Sequence, residues 1–169
     1  DALEDFSEAM VEAVKYLDRT YFDSDVRPSW YGGLSQLQYM SVRSMYTAIP
    51  FDAASARKTA GKDRWNDFTK GAKELLMPGK KERWTEGAVL AKARMIRIIS
   101  ALRASDSGSS LASSWGLRNM ARMARSLDTE MVSLLEYAVE HPSGGTYYPN
   151  AVIPWRGLLE SEAYAHAYI

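Results

Sequence analysis

Apolar residues recur along this chain at helical spacing almost from its first residue. Leu3, Phe6, Met10, Val14, Leu17 and Tyr21 return every three or four positions, which predicts one buried helix face. Asp23, Ser24, Asp25, Pro28 and the Gly32-Gly33 pair then predict a loop. In the next segment Leu34, Val42, Met45 and Ile49 share a face, with Gln36 and Arg43 opposite, and Pro50 is placed to close the helix. Residues Ala53 to Lys62 are small or basic and read as a connection. A short helix is expected from about Asp63 to Leu76, with Trp65, Phe68, Ala72 and Leu76 inward and Pro78-Gly79 as its stop.

The stretch from about Thr85 to Leu102 is the most apolar. Met95, Ile98, Ile99 and Leu102 lie on one flank, Val89, Ala93 and Ile96 on another, and Lys92 and Arg103 fall between. Two apolar flanks predict a helix contacted on both sides, as in the inner layer of a helical stack. Ser105 to Ser114 is rich in Ser and Gly and reads as a loop. A weaker helix over Leu117 to Ala124 is expected to break near Asp128. Leu127, Met131, Leu134, Leu135 and Ala138 then form the face of a helix ending at His141-Pro142, followed by a turn at Gly144-Gly145. Another helical pattern opens at Gly157 and is still in period at Ile169. Val152-Ile153 is the one pair suited to a strand, and Pro149 and Pro154 argue against a ladder there. The reading is a single all-α domain over residues 1–169, built of consecutive antiparallel helical hairpins. Periodic runs at both ends, without stop signals, give it the look of a piece of a longer helical array.

Composition narrows the chemistry. Twenty-one basic residues balance twenty-one acidic ones, so no global field favours nucleic acid. The basic runs Arg57 to Arg64 and Pro78 to Trp84 read as solvated surface. The absence of cysteine removes disulfides, thiolate metal sites and Cys nucleophiles. No apolar run approaches the roughly 20 residues that span a bilayer, and no signal-peptide pattern is present. No cofactor motif occurs either: SDSGSS lacks the Lys and the preceding strand of a phosphate loop.

Order in the motifs resembles a known family. AVKYLD (Ala13 to Asp18), LSQLQYMSVRSMY (Leu34 to Tyr46) and LLEYAVEHPSGGTYYPN (Leu134 to Asn150) are similar, in sequence and order, to the helical thioester-containing domain of bacterial α2-macroglobulins. The resemblance implies an α/α toroid of which this chain is part. It also implies a non-enzymatic role in a protease-trapping protein of the cell envelope, periplasmic or extracellular. Its partners would be neighbouring domains of a longer parent chain and, through the whole protein, target proteases. Thioester members cross-link a Cys to a nearby Gln; this chain has no cysteine, so no reactive residue carries over.

Tyr147, Tyr148, Asn150, Trp155 and Arg156, with Trp30 and Tyr31 in another Gly-adjacent loop, form the candidate binding surface. Rings with Arg and Asn suit stacking on sugars or docking a partner domain; equally, such rings cover the mouth of a core. Under a rival reading, an α/α-toroid polysaccharide lyase or glycoside hydrolase, Tyr147 or Tyr148 is the acid/base. Asn150 then neutralises a uronate, with His166 or Arg156 in support. A stand-alone helical scaffold is the third reading. His166 sits four residues after Glu162 and reads as a helix-seam contact, and His141 as a complement to a helix C-terminus. Glu160 and Glu162 point about 160° apart on a helix and make no carboxylate pair, and Asp23 and Asp25 read as turn caps. No metal site is expected.

Overall fold

The computed structural model describes residues 2–23, 35–76 and 88–148. Among them the chain forms six helices: α1 (Ala2–Phe22), α2 (Gln36–Ser44), α3 (Ala53–Leu76), α4 (Ala88–Arg103), α5 (Asp106–Ser114) and α6 (Met120–Leu135). Two short strands, β1 (Val139–Glu140) and β2 (Thr146–Tyr147), pair antiparallel, Val139 opposite Tyr147. The protein is mostly helical, with antiparallel contacts between its helices.

The inner helix is α4, which touches α2, α3, α5 and α6. Met95, Ile98, Ile99 and Leu102 enter the main core, while Val89 and Ala93 form a second cluster with Leu134. The two-flanked pattern therefore has its expected consequence. Lys92, between the flanks, is 2% exposed and forms an ion pair with Glu130 of α6. The helix of Trp65, Phe68, Ala72 and Leu76 is also as expected, with all four buried.

Aromatic rings fill the junction of α1, α2, α3 and α5. Tyr21 stacks on Tyr39 at 3.9 Å, and Phe22 meets Phe68 edge-on at 5.1 Å. Trp115, fully buried, lies 6.1 Å from Tyr39 and 6.0 Å from Phe68. Such pairs contribute roughly 0.5–1.5 kcal/mol each beyond their burial.

Several expectations are overturned. The segment Ala53 to Lys62 is helix, capped by Asp52, whose carboxylate accepts from the Ser55 N–H at 2.9 Å. It is separated from the second half of α3 by Gly61, at φ 73° and ψ 169°. That backbone region is open essentially to glycine alone, so the helix kinks there instead of ending. Ser105 to Ser114 is not a loop: Ser105 caps α5, its hydroxyl accepting from the Gly108 N–H at 3.0 Å. The far end closes in a Schellman motif, Leu117 N–H to Ala112 C=O at 2.8 Å and Gly116 N–H to Ser113 C=O at 3.0 Å, with Gly116 at φ 78°.

No break occurs near Asp128. An interior Asp costs a helix well under about 1 kcal/mol, and neither Gly nor Pro stands between Met120 and Leu135. The same helix stops at Leu135 and not at His141; Val139 and Glu140 pair with the strand beyond the turn. Of its expected face, Leu127 and Leu134 are buried, while Met131 and Leu135 are 50% and 65% exposed. On α1 the stripe is covered only toward its end: Val14 and Phe22 are buried, Leu3 and Phe6 exposed.

The largest reversal is on α2. Its buried face is Tyr39, Met40, Ser41, Arg43 and Ser44, while Val42 and Met45 face solvent. The helix opens on a capping box: Ser35 Oγ accepts from the Gln38 N–H at 3.2 Å, and Gln38 Oε1 from the Ser35 N–H at 2.8 Å. It ends at Ser44, before Pro50, in turns whose carbonyls Arg43 collects.

Removing one member of a buried ion pair strands the other charge, at a cost of about 3–5 kcal/mol. Glu130→Ala is accordingly expected to lower stability by about 3 kcal/mol, and Glu130→Gln, which still accepts from Lys92, by less. Urea unfolding of the two variants checks this; equal losses would mean that packing and not the pairing of Lys92 dominates.

Candidate functional site

Arg43 has no solvent exposure and every nitrogen of its guanidinium is engaged. Nε donates to both carboxylate oxygens of Asp18 at 3.1 Å. Nη1 donates to the Tyr46 carbonyl and Nη2 to the Ile49 carbonyl, each at 2.7 Å. The Tyr39 hydroxyl donates to Asp18 Oδ1 at 2.8 Å. One cation thus joins α1, α2 and the turn after α2, with the Phe51 ring 5.7 Å from its centre. Arg64 of α3 plays a related part, donating to the Tyr21 and Phe22 carbonyls at 2.6 and 2.8 Å and so capping α1.

Burial pushes the Asp18 carboxyl above its ordinary range, against the opposing pull of Arg43 and the Tyr39 hydroxyl. Burial also raises the Tyr39 phenol well above its usual value, and the neighbouring Asp18 charge adds to this. A carboxylate held on both oxygens and a phenol that keeps its proton are fixtures of the fold.

Beside this network lies a cleft of about 340 Å³ between α1 and the start of α3. Phe22, Phe51 and Ala56 give it an apolar lining, and Lys15, Asp18, Arg19, Asp52, Ser55 and Thr59 are its polar residues. Asp52 is already the cap of α3, and Lys15 pairs with Glu12 at 2.8 Å. What remains is an apolar hollow with a mixed-charge edge. No group of three or more metal-ligating side chains occurs among the described residues.

The aromatic surface expected from the sequence is brought together only in part. Tyr147 lies on β2, 38% exposed, with its ring 6.0 Å from His141. Tyr148, the next residue, packs on the Val89, Ala93 and Leu134 cluster. The two neighbours therefore face different surroundings: one ring is available to a partner, the other closes a core. Trp30, Tyr31, Asn150, Trp155 and Arg156 lie outside the described residues, as do Asp25, Val152, Ile153, Glu160, Glu162 and His166. His141 complements no helix end. Its Nδ1 lies 2.6 Å from Ser143 Oγ and accepts from the Ser143 N–H at 3.2 Å, while its own N–H donates to the Gly145 carbonyl at 2.6 Å. It organises the turn that the Gly144-Gly145 pair predicted.

Sequence reasoning missed Asp18, Tyr39 and Arg43 as a unit. A signal was present: an Arg between Ser41-Val42 and Ser44, in a short helix followed by a Pro-ended turn, leaves several carbonyls to be satisfied. No family model, curated protein or solved structure matches the chain.

Two expectations test this arrangement. Because the folded Asp18 carboxyl keeps its proton to higher pH than the unfolded one, the folded state binds more protons between the two values. Wild type should therefore lose stability relative to Asp18→Asn as pH rises through that window, with its advantage greatest below it. Paired urea titrations from about pH 3 to about pH 7 read the difference, and a rise with pH would refute it. Second, Tyr148→Ala should cost about 1–3 kcal/mol, while Tyr147→Ala stays within about 0.5 kcal/mol, by the same assay.

Proposed function

We propose that this chain is a non-enzymatic interaction module: part of the helical toroid of a bacterial α2-macroglobulin-like, protease-trapping protein, with no thioester of its own within these residues. The observation that carries the reading is the uncovered apolar surface at two places on the helices. On α1, Leu3 and Phe6 are 78% and 65% exposed; on α6, Val132 and Leu135 are 60% and 65% exposed. Side chains of this size, periodic with a buried stripe yet open to solvent, suit faces that a neighbouring element covers.

The helical hairpins themselves agree with a toroid segment. So does the way the resembling stretches meet: Asp18 closes AVKYLD, and Tyr39 and Arg43 belong to LSQLQYMSVRSMY. In this role the module acts through packing. It holds an apolar face against adjacent β-rich domains of the parent chain, and that interface shifts when a target protease cuts the bait region. Residence in the cell envelope follows from the same resemblance. No helix among the described residues is long and apolar enough to cross a membrane.

Phe6→Glu and Leu135→Glu test this, since both positions are exposed in the isolated chain. Each is expected to leave the melting temperature within about 2 °C. In the protease-trapping parent, each is expected to lower retention of a bait-cleaving protease several-fold. Full retention in both variants would overturn the reading. Release of unsaturated products from mixed uronic-acid polymers, lost in Tyr147→Phe, would replace it with the lyase.

A further inference from the structure

A second concavity, of about 360 Å³, lies where α3, the end of α5 and the start of α6 converge. It is lined by Arg57, Thr69 and Lys73 of α3, Ser113 and Ser114 of α5, and Gly116, Arg118 and Asn119 of the α5–α6 link. Three cations from separate places in the fold surround it, and no carboxylate lines it. In a chain whose positive and negative charges balance overall, that is a local excess.

Asn119 adds side-chain donors to the three cations. Asn119 caps α6 through Oδ1, which accepts from the Arg122 N–H at 3.1 Å, so its side-chain N–H groups remain. Those lie beside the positive end of the α6 dipole. The negative end of α5 is blunted, because its Schellman bonds occupy the Ala112 and Ser113 carbonyls. Thr69 and Ser114 direct their hydroxyl protons to the Asn66 and Ser110 carbonyls at 3.0 Å each, so the donors to an anion are Arg57, Lys73, Arg118 and Asn119. Arg57 is steadied by the Trp65 ring, 5.0 Å away. Among the described residues, Lys73 and Arg118 enter no ion pair.

We infer that this pocket binds a tetrahedral oxyanion carried as a small monoester, a phosphate or a sulfate. Arginine forks recognise such groups through paired N–H bonds, and Lys73 adds a point charge. A volume in the range of small-molecule sites leaves room for the esterified group as well as the anion. The site is independent of the apolar faces on α1 and α6.

Titration of the isotope-labelled chain with phenyl phosphate, phenyl sulfate and, as a planar control, benzoate tests the assignment at constant ionic strength. Saturable shifts centred on the Gly116 and Asn119 amides are expected for the tetrahedral anions, with a dissociation constant of about 1 mM or below. The tighter of the two names the source of the group. Lys73→Gln and Arg118→Gln, both at exposed positions, should each weaken binding about five-fold, and Lys62→Gln, outside the pocket, should not. Unaltered melting temperatures keep the loss distinct from misfolding. Shifts that do not saturate, that spread over other basic residues, that persist in the variants, or that benzoate reproduces at equal affinity would overturn the proposal.

Discussion

A guanidinium sealed from water, at the point where α1, α2 and the following turn converge, sets the terms for the first half of this fold. Arg43 cannot be buried unless something answers each of its donors, and an unanswered buried charge costs several kcal/mol. The answer comes from Asp18, about one turn before the end of α1, and from the Tyr46 and Ile49 carbonyls in the turn that follows α2. Each partner therefore solves the other's problem. Once Asp18 and Tyr39 are in register, Tyr21 and Phe22 are carried into the aromatic junction. Arg64 can then reach the carbonyls at the end of α1 from α3. The packing of three helices follows from one set of satisfied donors.

Lys92 repeats the principle in the second half, where α4 must face both the main core and the smaller cluster with Leu134. An inner helix with apolar residues on two flanks has freedom to rotate between equivalent packings. A single buried ammonium that must meet Glu130 removes that freedom. Replacing a buried ion pair by apolar groups of equal shape is often neutral or stabilising, so burial of these charges is weak evidence of added stability. The upward displacement of the Asp18 carboxyl is consistent with that balance, burial outweighing the attraction of Arg43. What these pairs supply is register: one arrangement of helices instead of several.

The same accounting explains which features were legible in the sequence. Helix type, the two flanks of α4 and the inward set Trp65, Phe68, Ala72 and Leu76 depend on apolar spacing, which periodicity reads directly. The buried face of α2 depends on Arg43, and a scale that ranks arginine as outward turns that helix the wrong way round. A guanidinium goes inside when acceptors from distant segments converge, and that convergence is tertiary information. Helix α5 was hidden for a different reason. Its nine residues are mostly Ser and Gly, poor helix formers, yet a Ser105 cap and a Trp115-Gly116 stop bound them. There the end signals outweigh the interior, and a reading by composition misses them. The break expected at Asp128 overvalued one weak interior residue against sixteen helical positions without Gly or Pro.

The candidate surface divides along the same line. Tyr147 and Tyr148 are adjacent in a β-strand ending, where successive side chains point to opposite faces. A sequence reading places both on one aromatic surface because both are rings in one loop. The register of the β1–β2 pair separates them, leaving one ring beside His141 and sending the other onto the α4–α6 cluster. That pairing turns on the Gly144-Gly145 turn and on the His141–Ser143 contact, neither of which carries chemistry of its own. The exposed Tyr147 ring thus stands on a short hairpin that follows a helix whose Val132 and Leu135 are open to solvent, while Tyr148 belongs to the packing of the helices themselves.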